Sequence, residues 1–354
     1  AIALDLLLPE PDRLSPARIA ESLEGIADPA ILPEVDAALA AAIGRSTVVL
    51  GFADSPSSPA LPAAPKSGFA VSGVNPVAAV PRLRGAVLPL PQLADAAAGL
   101  GSLSLDATDS ADIVRRIPLL WSDGTQFFPT LAIEALRLAL GVSTIVVLGE
   151  TQGAGFVESI QIGDVTVPTM PRGEFRIYYR PPTPEAAVPA MDILAPAYAA
   201  HAEKIAGHIV FVGTSASGLL DLHGTTLGHN VPGVSIHAQA VEQMLTGVHL
   251  TRADWILGLE VAGFVVLGAL LVFATLSLGP MAGLLAGLVA LIGTATFSWL
   301  MFSTRGLLID PVFPVVGLAL VYASLVFQQF RMTDVDRRQI RRAFGYYVAP
   351  SLLA

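Results

Sequence analysis

The stretch WILGLEVAGFVVLGALLVFATL, residues 255–276, decides the architecture. It holds a single ionisable residue, Glu260, and is followed by MAGLLAGLVALIGTATFSWLMF at 281–302 and LIDPVFPVVGLALVYASLVFQQF at 308–330. Each reaches the roughly 20 residues that cross a hydrocarbon core at about 1.5 Å of helix rise per residue. The connectors, SLGP at 277–280 and the residues around STRG at 303–306, are long enough only for helical hairpins. The composition agrees: 53% of the 354 residues are hydrophobic and 14% charged, against roughly 25% charged in ordinary soluble domains. Residues 253–330 are therefore expected to form three transmembrane helices.

The flanking cations set the orientation. Arg331, Arg337, Arg338, Arg341 and Arg342 follow the third span, whereas the short connectors hold only Arg305. The positive-inside rule places the C-terminus, residues 331–354, in the cytoplasm, and three spans then put residues 1–252 outside it. That head carries 14 Lys and Arg against 24 Asp and Glu, an acidic balance that argues against nucleic acid as a partner. The absence of cysteine excludes disulfides and thiolate metal sites. The chain opens inside the apolar run AIALDLLL and stops at SLLA, so it is expected to be a piece cut at both ends.

Within the spans, Gly279, Gly283 and Gly287 recur every four residues. Such a ladder lets another helix approach closely, although chance in an Ala- and Gly-rich chain gives the same pattern. Trp255 and Trp299 suit interfacial belts. Glu260 is either a functional intramembrane carboxylate or one that snorkels to the nearby interface. Asp310, ahead of Pro311 and Pro314, marks a helix entrance.

The head alternates strand and helix signals. Ile2 to Leu8, Thr47 to Phe52, Thr166 to Val167, Phe175 to Tyr179 and His208 to Val212 read as strands. Pro16 to Gly25, Pro33 to Ala42, Pro91 to Leu100, Pro129 to Leu140 and Ser235 to Leu245 read as helices, and 54–68 as a loop. The pattern predicts an α/β domain with a mixed, largely buried sheet.

No catalytic constellation stands out. GTSASG at 213–218 follows a strand, but it lacks the Lys-Ser/Thr ending of a phosphate loop and the glycine spacing of a nucleophile elbow around Ser215 or Ser217. His208, His223, His229 and His237 either gather on a metal or are solvated and hydrogen-bonding histidines, and no HExxH-type spacing favours the metal. Asp5, Glu10 and Asp12 sit at the end of the first strand, where α/β folds bind ligands; helix capping and loop hydrogen bonding are the competing explanation. The candidate ligand-binding residues are Asp5, Glu10, Asp12, Ser215, Asp221 and His237. The candidates for coupling through the membrane are Gly279, Gly283, Gly287 and Glu260.

Four segments carry a family resemblance: LDLLLPEPDRLSP at 4–16, VRRIPLL at 114–120, FFPTLAIEALRLALG at 127–141 and IVFVGTSASGLLDLHGTTLGHNVPGVSIHAQAVEQMLTG at 209–247. In order, and with three spans behind them, they resemble the type 2 CHASE (CHASE2) family of extracytoplasmic sensors on bacterial cyclases and kinases. Members share a G-T-S-A-x-G-L-x-D turn and a P-G-V-x-x-H-A segment. Two departures are the family's leading span and first strand-helix unit, which this sequence lacks, and the unusually proline-rich loop at 54–65. The tail RRAFGYYVAPSLLA at 341–354 looks like the F-x-x-Y-V-x-P element ahead of class III adenylate or guanylate cyclase domains.

The resemblance implies the sensory and transmembrane part of a bacterial inner-membrane receptor, homodimeric, responding to an unknown extracytoplasmic small ligand or ion. It implies no catalytic residue and no cofactor in this chain; Mg2+ or Mn2+ and ATP belong to an output cyclase beyond Ala354. A kinase output, a membrane-anchored extracytoplasmic enzyme and a small transporter module are the rival expectations.

Overall fold

Runs that are apolar on both faces belong in the middle of a sheet, and Val48–Asp54 takes that place in the head. The structure is a computed structural model that describes residues 1–13, 15, 34–58, 60–105, 113–153, 155–181, 183, 186–216, 221–253 and 255–344. The chain divides into two compact units, Ala1–His249 and Leu250–Ala354.

In the first unit, β1 (Ile2–Asp5), β2 (Val48–Asp54) and, from elsewhere in the chain, Gly99–Ser102 and Val210–Gly213 run parallel. Two other strands precede the third of these, β3 (Gly68–Ser72) and β4 (Ala86–Val87), so Gly99–Ser102 is β5. A second sheet uses β6 (Thr144–Gly149), β7 (Val157–Ile162) and β8 (Val165–Pro168), which makes Val210–Gly213 β9. The main sheet has the order β9-β1-β2-β5, with β4 antiparallel against the last residues of β2. The second sheet has the order β8-β7-β6-β3. The hairpin β10 (Leu222–Thr225) and β11 (Gly228–Pro232) leads into a long helix.

Helices α1 (Val35–Gly44) and α2 (Pro91–Ala96) cover one face of the main sheet, packing Ile43 and Leu93 on Val48 and Leu50. The other face receives α3 (Leu131–Ala139), whose Leu131 and Ala135 rest on Ala3 and Val49. The opposite side of α3 meets the second sheet at Ile145, Val147 and Ile160, and meets α4 (Gly233–Thr246) at Ile236 and Ala240. Every residue from Leu131 to Arg137 is buried. A helix enclosed in this way must satisfy its own polar groups. Glu134 and Arg137 do so with a two-pronged ion pair, Nη2 to Oε1 at 2.7 Å and Nε to Oε2 at 2.9 Å, while Arg137 Nη1 donates to the Val142 carbonyl at 2.7 Å. Two glycines admit the helix to the sheet: a Cβ on Gly101 would lie 2.6 Å from Leu131 Cα, and one on Gly99 would collide with the Glu134 carboxylate.

These glycines correct the expectation of a helix from Pro91 to Leu100. The helix stops at Ala96 and Gly99–Ser102 is a strand, because close approach by α3 requires residues whose intrinsic β-propensity is poor. The first strand ends at Asp5 rather than Leu8, and the strand expected at Phe175 to Tyr179 is only Glu174–Arg176. The helix expected from Pro129 begins at Leu131, after a short strand at Phe127–Pro129. The helix expected at Pro16 to Gly25 lies outside the described residues.

The second unit contains α5 (Trp255–Leu278), α6 (Pro280–Arg305) and α7 (Val312–Phe344). The first two, and Val312–Met332 of the third, are long and apolar enough to cross a membrane. Gly279 alone links α5 to α6, with φ at 96°, a region open to glycine. It is therefore a turn residue and not the first rung of a ladder on a helix face. The other two glycines do face a helix, α5 of the same chain: Gly283 is buried where any Cβ would collide with Thr275, and a Cβ on Gly287 would touch Leu271 at 3.7 Å. The third span starts at Val312 rather than Leu308, since Leu307 and Leu308 pair with Thr251 and Asp310 Oδ1 caps the Val312 N–H at 2.8 Å.

Glu134→Ala leaves the Arg137 guanidinium buried and unpaired, which is expected to cost about 3–5 kcal/mol. Urea unfolding of the chain in detergent should register that loss, and pairing Glu134→Leu with Arg137→Met should recover most of it. An unchanged midpoint for Glu134→Ala would remove the ion pair from the account of α3.

Candidate functional site

Because β9, β1, β2 and β5 are parallel, their carboxyl ends open on one edge, where loops diverge and leave a crevice. A cleft of about 420 Å³ lies there. Asp5 enters it at the end of β1 and Leu7 after it, Leu103 and Ser104 after β5, Thr214 after β9, and Asp221 and His223 from the start of the β10 hairpin.

Asp5 is the last residue of β1, opposite Gly213 of β9. It is 8% exposed, and its Oδ2 has no hydrogen-bond partner. Burial pushes its carboxyl up to about 7; the Asp221 carboxylate adds to the rise and His223 opposes it. Asp221 Oδ1 lies 3.3 Å from His223 Nε2. The Asp221 carbonyl accepts from the N–H of Gly233, the first residue of α4, at 3.1 Å. A Cβ at Gly233 would sit 2.6 Å from Asp221 Oδ1, so glycine lets the carboxylate lie against the start of the helix. Gly213 likewise leaves room for Val234, whose Cβ would otherwise be 2.6 Å away. Gly213 and Asp221 of the first motif and Gly233 and Val234 of the second thus serve one packing arrangement, the end of β9 and the cleft wall against the start of α4.

His237, on α4, is 1% exposed, with Nε2 3.4 Å from the Leu103 carbonyl. A carbonyl can only accept, so in the neutral ring Nε2 carries the proton and Nδ1, which has no partner, is an acceptor. Burial depresses its pKa to about 4, keeping the ring neutral at physiological pH. It supports the β5 end of the cleft from behind.

Of the residues singled out in the sequence, Asp5 and Asp221 meet in the cleft and His237 backs it. Glu10 is exposed and outside the lining. Asp12 also lies outside; its N–H donates to the Asp36 carboxylate at 3.1 Å, a loop-bracing role. Ser215 is exposed and does not line the cleft, and Ser217 lies outside the described residues. The histidines do not converge: His208 is exposed beside the Ala206 carbonyl, and the side chain of His229 lies outside the described set. Among the described residues no three His, Asp or Glu side chains are grouped to hold a metal. Sequence reasoning missed His223, Leu103, Ser104 and Thr214 as lining; the two β5 neighbours were hidden because β5 itself was.

In the second unit Glu260 is buried and engaged at both oxygens. Arg252 Nη2 donates to Oε2 at 2.7 Å, and the Asp310 N–H donates to Oε1 at 2.7 Å. It therefore ties the segments that precede α5 and α7 to α5 itself, and does not reach alone toward an interface.

The family model for the CHASE2 domain matches residues 1–275, and the chain belongs to the CHASE2 domain family. None of the curated proteins and none of the solved structures matches it. With three membrane-crossing helices at its C-terminal end, the chain is a sensor domain joined to a membrane anchor.

The raised Asp5 pKa fixes the sign of a pH effect. Between about 4 and about 7 the folded protein holds a proton that the unfolded chain has released, so this contribution is largest at acid pH and is lost as pH rises through about 7. His237, depressed to about 4, acts oppositely: its contribution holds above the usual histidine range and is lost as pH falls. Asp5→Asn removes only the first. Unfolding in a pH series should show wild-type stability falling relative to Asp5→Asn by up to about 1.4 kcal/mol per pH unit across this window. A difference that is flat with pH would show that Asp5 is not the buried acid described.

Proposed function

We propose that this chain is the sensory and transmembrane part of a bacterial inner-membrane receptor. Residues 1–252 lie outside the cytoplasm, the C-terminus lies inside it, and the output is a class III adenylate or guanylate cyclase C-terminal to Ala354. One observation carries the reading: the CHASE2-family head, with a ligand-sized cleft, shares a chain with a third span that does not stop at the membrane. The apolar part of α7 ends at Met332, but the helix runs on to Phe344, about 18 Å further at 1.5 Å per residue. A continuous helix carries displacement or rotation from the bilayer to whatever follows.

Two identical chains suit this task, because class III cyclases work as dimers. A ligand acts only if it binds one arrangement of the dimeric head better than the other; binding both equally shifts nothing. The bilayer, a second copy and an extracytoplasmic small molecule are the partners. Mg2+ or Mn2+ and ATP belong to the cyclase and not to this chain. The cluster Arg331, Arg337, Arg338, Arg341 and Arg342 supports the orientation by the positive-inside rule.

The cysteine-free sequence makes topology directly measurable. With Leu194→Cys in the head and Val335→Cys beyond the third span, an impermeant maleimide on intact spheroplasts should label the first and reach the second only after permeabilisation. The reverse pattern would overturn the orientation. The coding sequence past Ala354 should encode the paired metal-binding aspartates of a class III cyclase; a phosphoacceptor helix or a kinase glycine-rich loop there would replace the cyclase and leave the sensor.

A further inference from the structure

We propose that the cleft at the carboxyl edge of the parallel sheet binds a small organic ammonium ion, its N–H groups received by the unpartnered carboxyl of Asp5 together with Asp221. This names the ligand class for the receptor reading above and rests on that reading for its use in signalling.

The lining decides the class. Among the described residues its only titratable side chains are Asp5, Asp221 and His223, and none of the described lining residues is lysine or arginine. An anion entering would meet two carboxylates with one histidine to offset them. A neutral ligand would leave Asp5 to keep its proton and would bring no positive charge to the two acids. Asp5 Oδ2 is the informative atom: a buried carboxyl oxygen with no donor is costly in a folded protein, and its residue forms part of the cleft wall. A cation that donates hydrogen bonds supplies what it lacks. A bare metal ion suits the site poorly, since calcium takes six to eight oxygens and the described residues hold no group of three acidic or imidazole ligands. The remaining wall is mixed, with hydroxyls at Ser104 and Thr214 and apolar surface at Leu7, Leu103 and Leu105. Ser104 is held in place, its Oγ accepting from the Asp54 N–H at 2.7 Å. Alkyl carbons attached to an ammonium have a surface to rest on, and a volume of about 420 Å³ lies within the range of small-ligand pockets.

Proton linkage follows from the same geometry. Burial, and after it Asp221, raises the Asp5 carboxyl and His223 opposes the rise, while His237 behind the cleft stays neutral. An ammonium ion that pairs with Asp5 must displace the proton held there near neutral pH, so binding releases it and weakens as the solution is acidified.

The test uses the full chain in lipid nanodiscs, titrated calorimetrically with n-butylammonium and with putrescine, and with butyrate, tetramethylammonium and calcium as comparators. The two primary ammonium ions are expected to bind, with affinity rising about tenfold between pH 5.5 and 6.5 and levelling off above about pH 7.5. A pH electrode in weakly buffered solution should record proton release at the acid end. Tetramethylammonium, with no N–H, should bind at least tenfold more weakly. Asp5→Asn, which matches the protonated acid in shape and so keeps the fold, should lose at least tenfold in affinity; Asp221→Asn should also weaken binding. Absence of ammonium binding, equal binding by Asp5→Asn, or cleft occupancy by butyrate or calcium in place of ammonium would each overturn the proposal. If ammonium binds as described while the output of the intact receptor is unmoved by it and by every other added solute, the site stands and the receptor reading fails. If the output responds to another solute and ammonium does not bind, the reverse holds.

Discussion

The head depends on enclosing α3. One helix face completes the main sheet and the other completes the second sheet and α4, so neither sheet has a finished core without it. The enclosure has a chemical condition. Glu134 and Arg137 lie one turn apart on a helix with no solvent side, and each neutralises the other at hydrogen-bonding distance. It also has a steric condition, met by Gly99 and Gly101, which let the helix lie on β5 at backbone contact. In a medium of low dielectric the pair is tolerable only because both carboxylate oxygens and three guanidinium donors are used.

With α3 seated, the main-sheet strands that meet it are parallel and their carboxyl ends share one edge. Burying the strands buries Asp5 too, because it is the last residue of a central strand. What distinguishes Asp5 from Glu134 is the outcome of that burial. Glu134 is given a cation by its own helix; Asp5 is given a second carboxylate, Asp221, and a histidine already engaged with that carboxylate. The surroundings stabilise α3 as it stands and leave the cleft carboxyl short of a partner, the pattern of a site whose last component comes from solution.

Much of this was legible in the sequence, and the exceptions share a cause. Residues 255–276 could be identified as a span because twenty apolar residues have few other uses. Asp5 could be singled out because strand ends in α/β folds bind ligands. The pairing of Asp5 with Asp221, more than two hundred positions apart, depended on which strand lies beside β1, and no local pattern encodes that. β5 was missed because its glycines are selected by the approach of α3, against local propensity. The spacing of Gly279 imitated a helix face although its backbone turns there, since periodicity cannot distinguish a rung from a hinge. Asp12 shares a segment with Asp5, but the loop after β1 carries it to Asp36.

The membrane unit limits how any event in the head can reach the C-terminal side. α7 is tied to α5 near one end through Glu260, whose Oε1 accepts the Asp310 N–H. Near the other end Gln329 Nε2 donates to the Thr275 carbonyl at 3.1 Å and the Tyr322 hydroxyl to the Pro280 carbonyl at 3.0 Å. Between α5 and α6 there is a one-residue turn, and Gly283 sits directly on Thr275. Sliding or turning α7 by itself would break these hydrogen bonds where the hydrocarbon offers no water in exchange. Moving the three helices together breaks none of them. The bundle is therefore built to shift as one body, and α7 past Met332 is the part of that body that projects beyond the apolar layer. In the proposed dimeric receptor, two such bundles would change their mutual angle with every internal contact kept, and the energy separating two signalling states would reside in contacts outside the bundle.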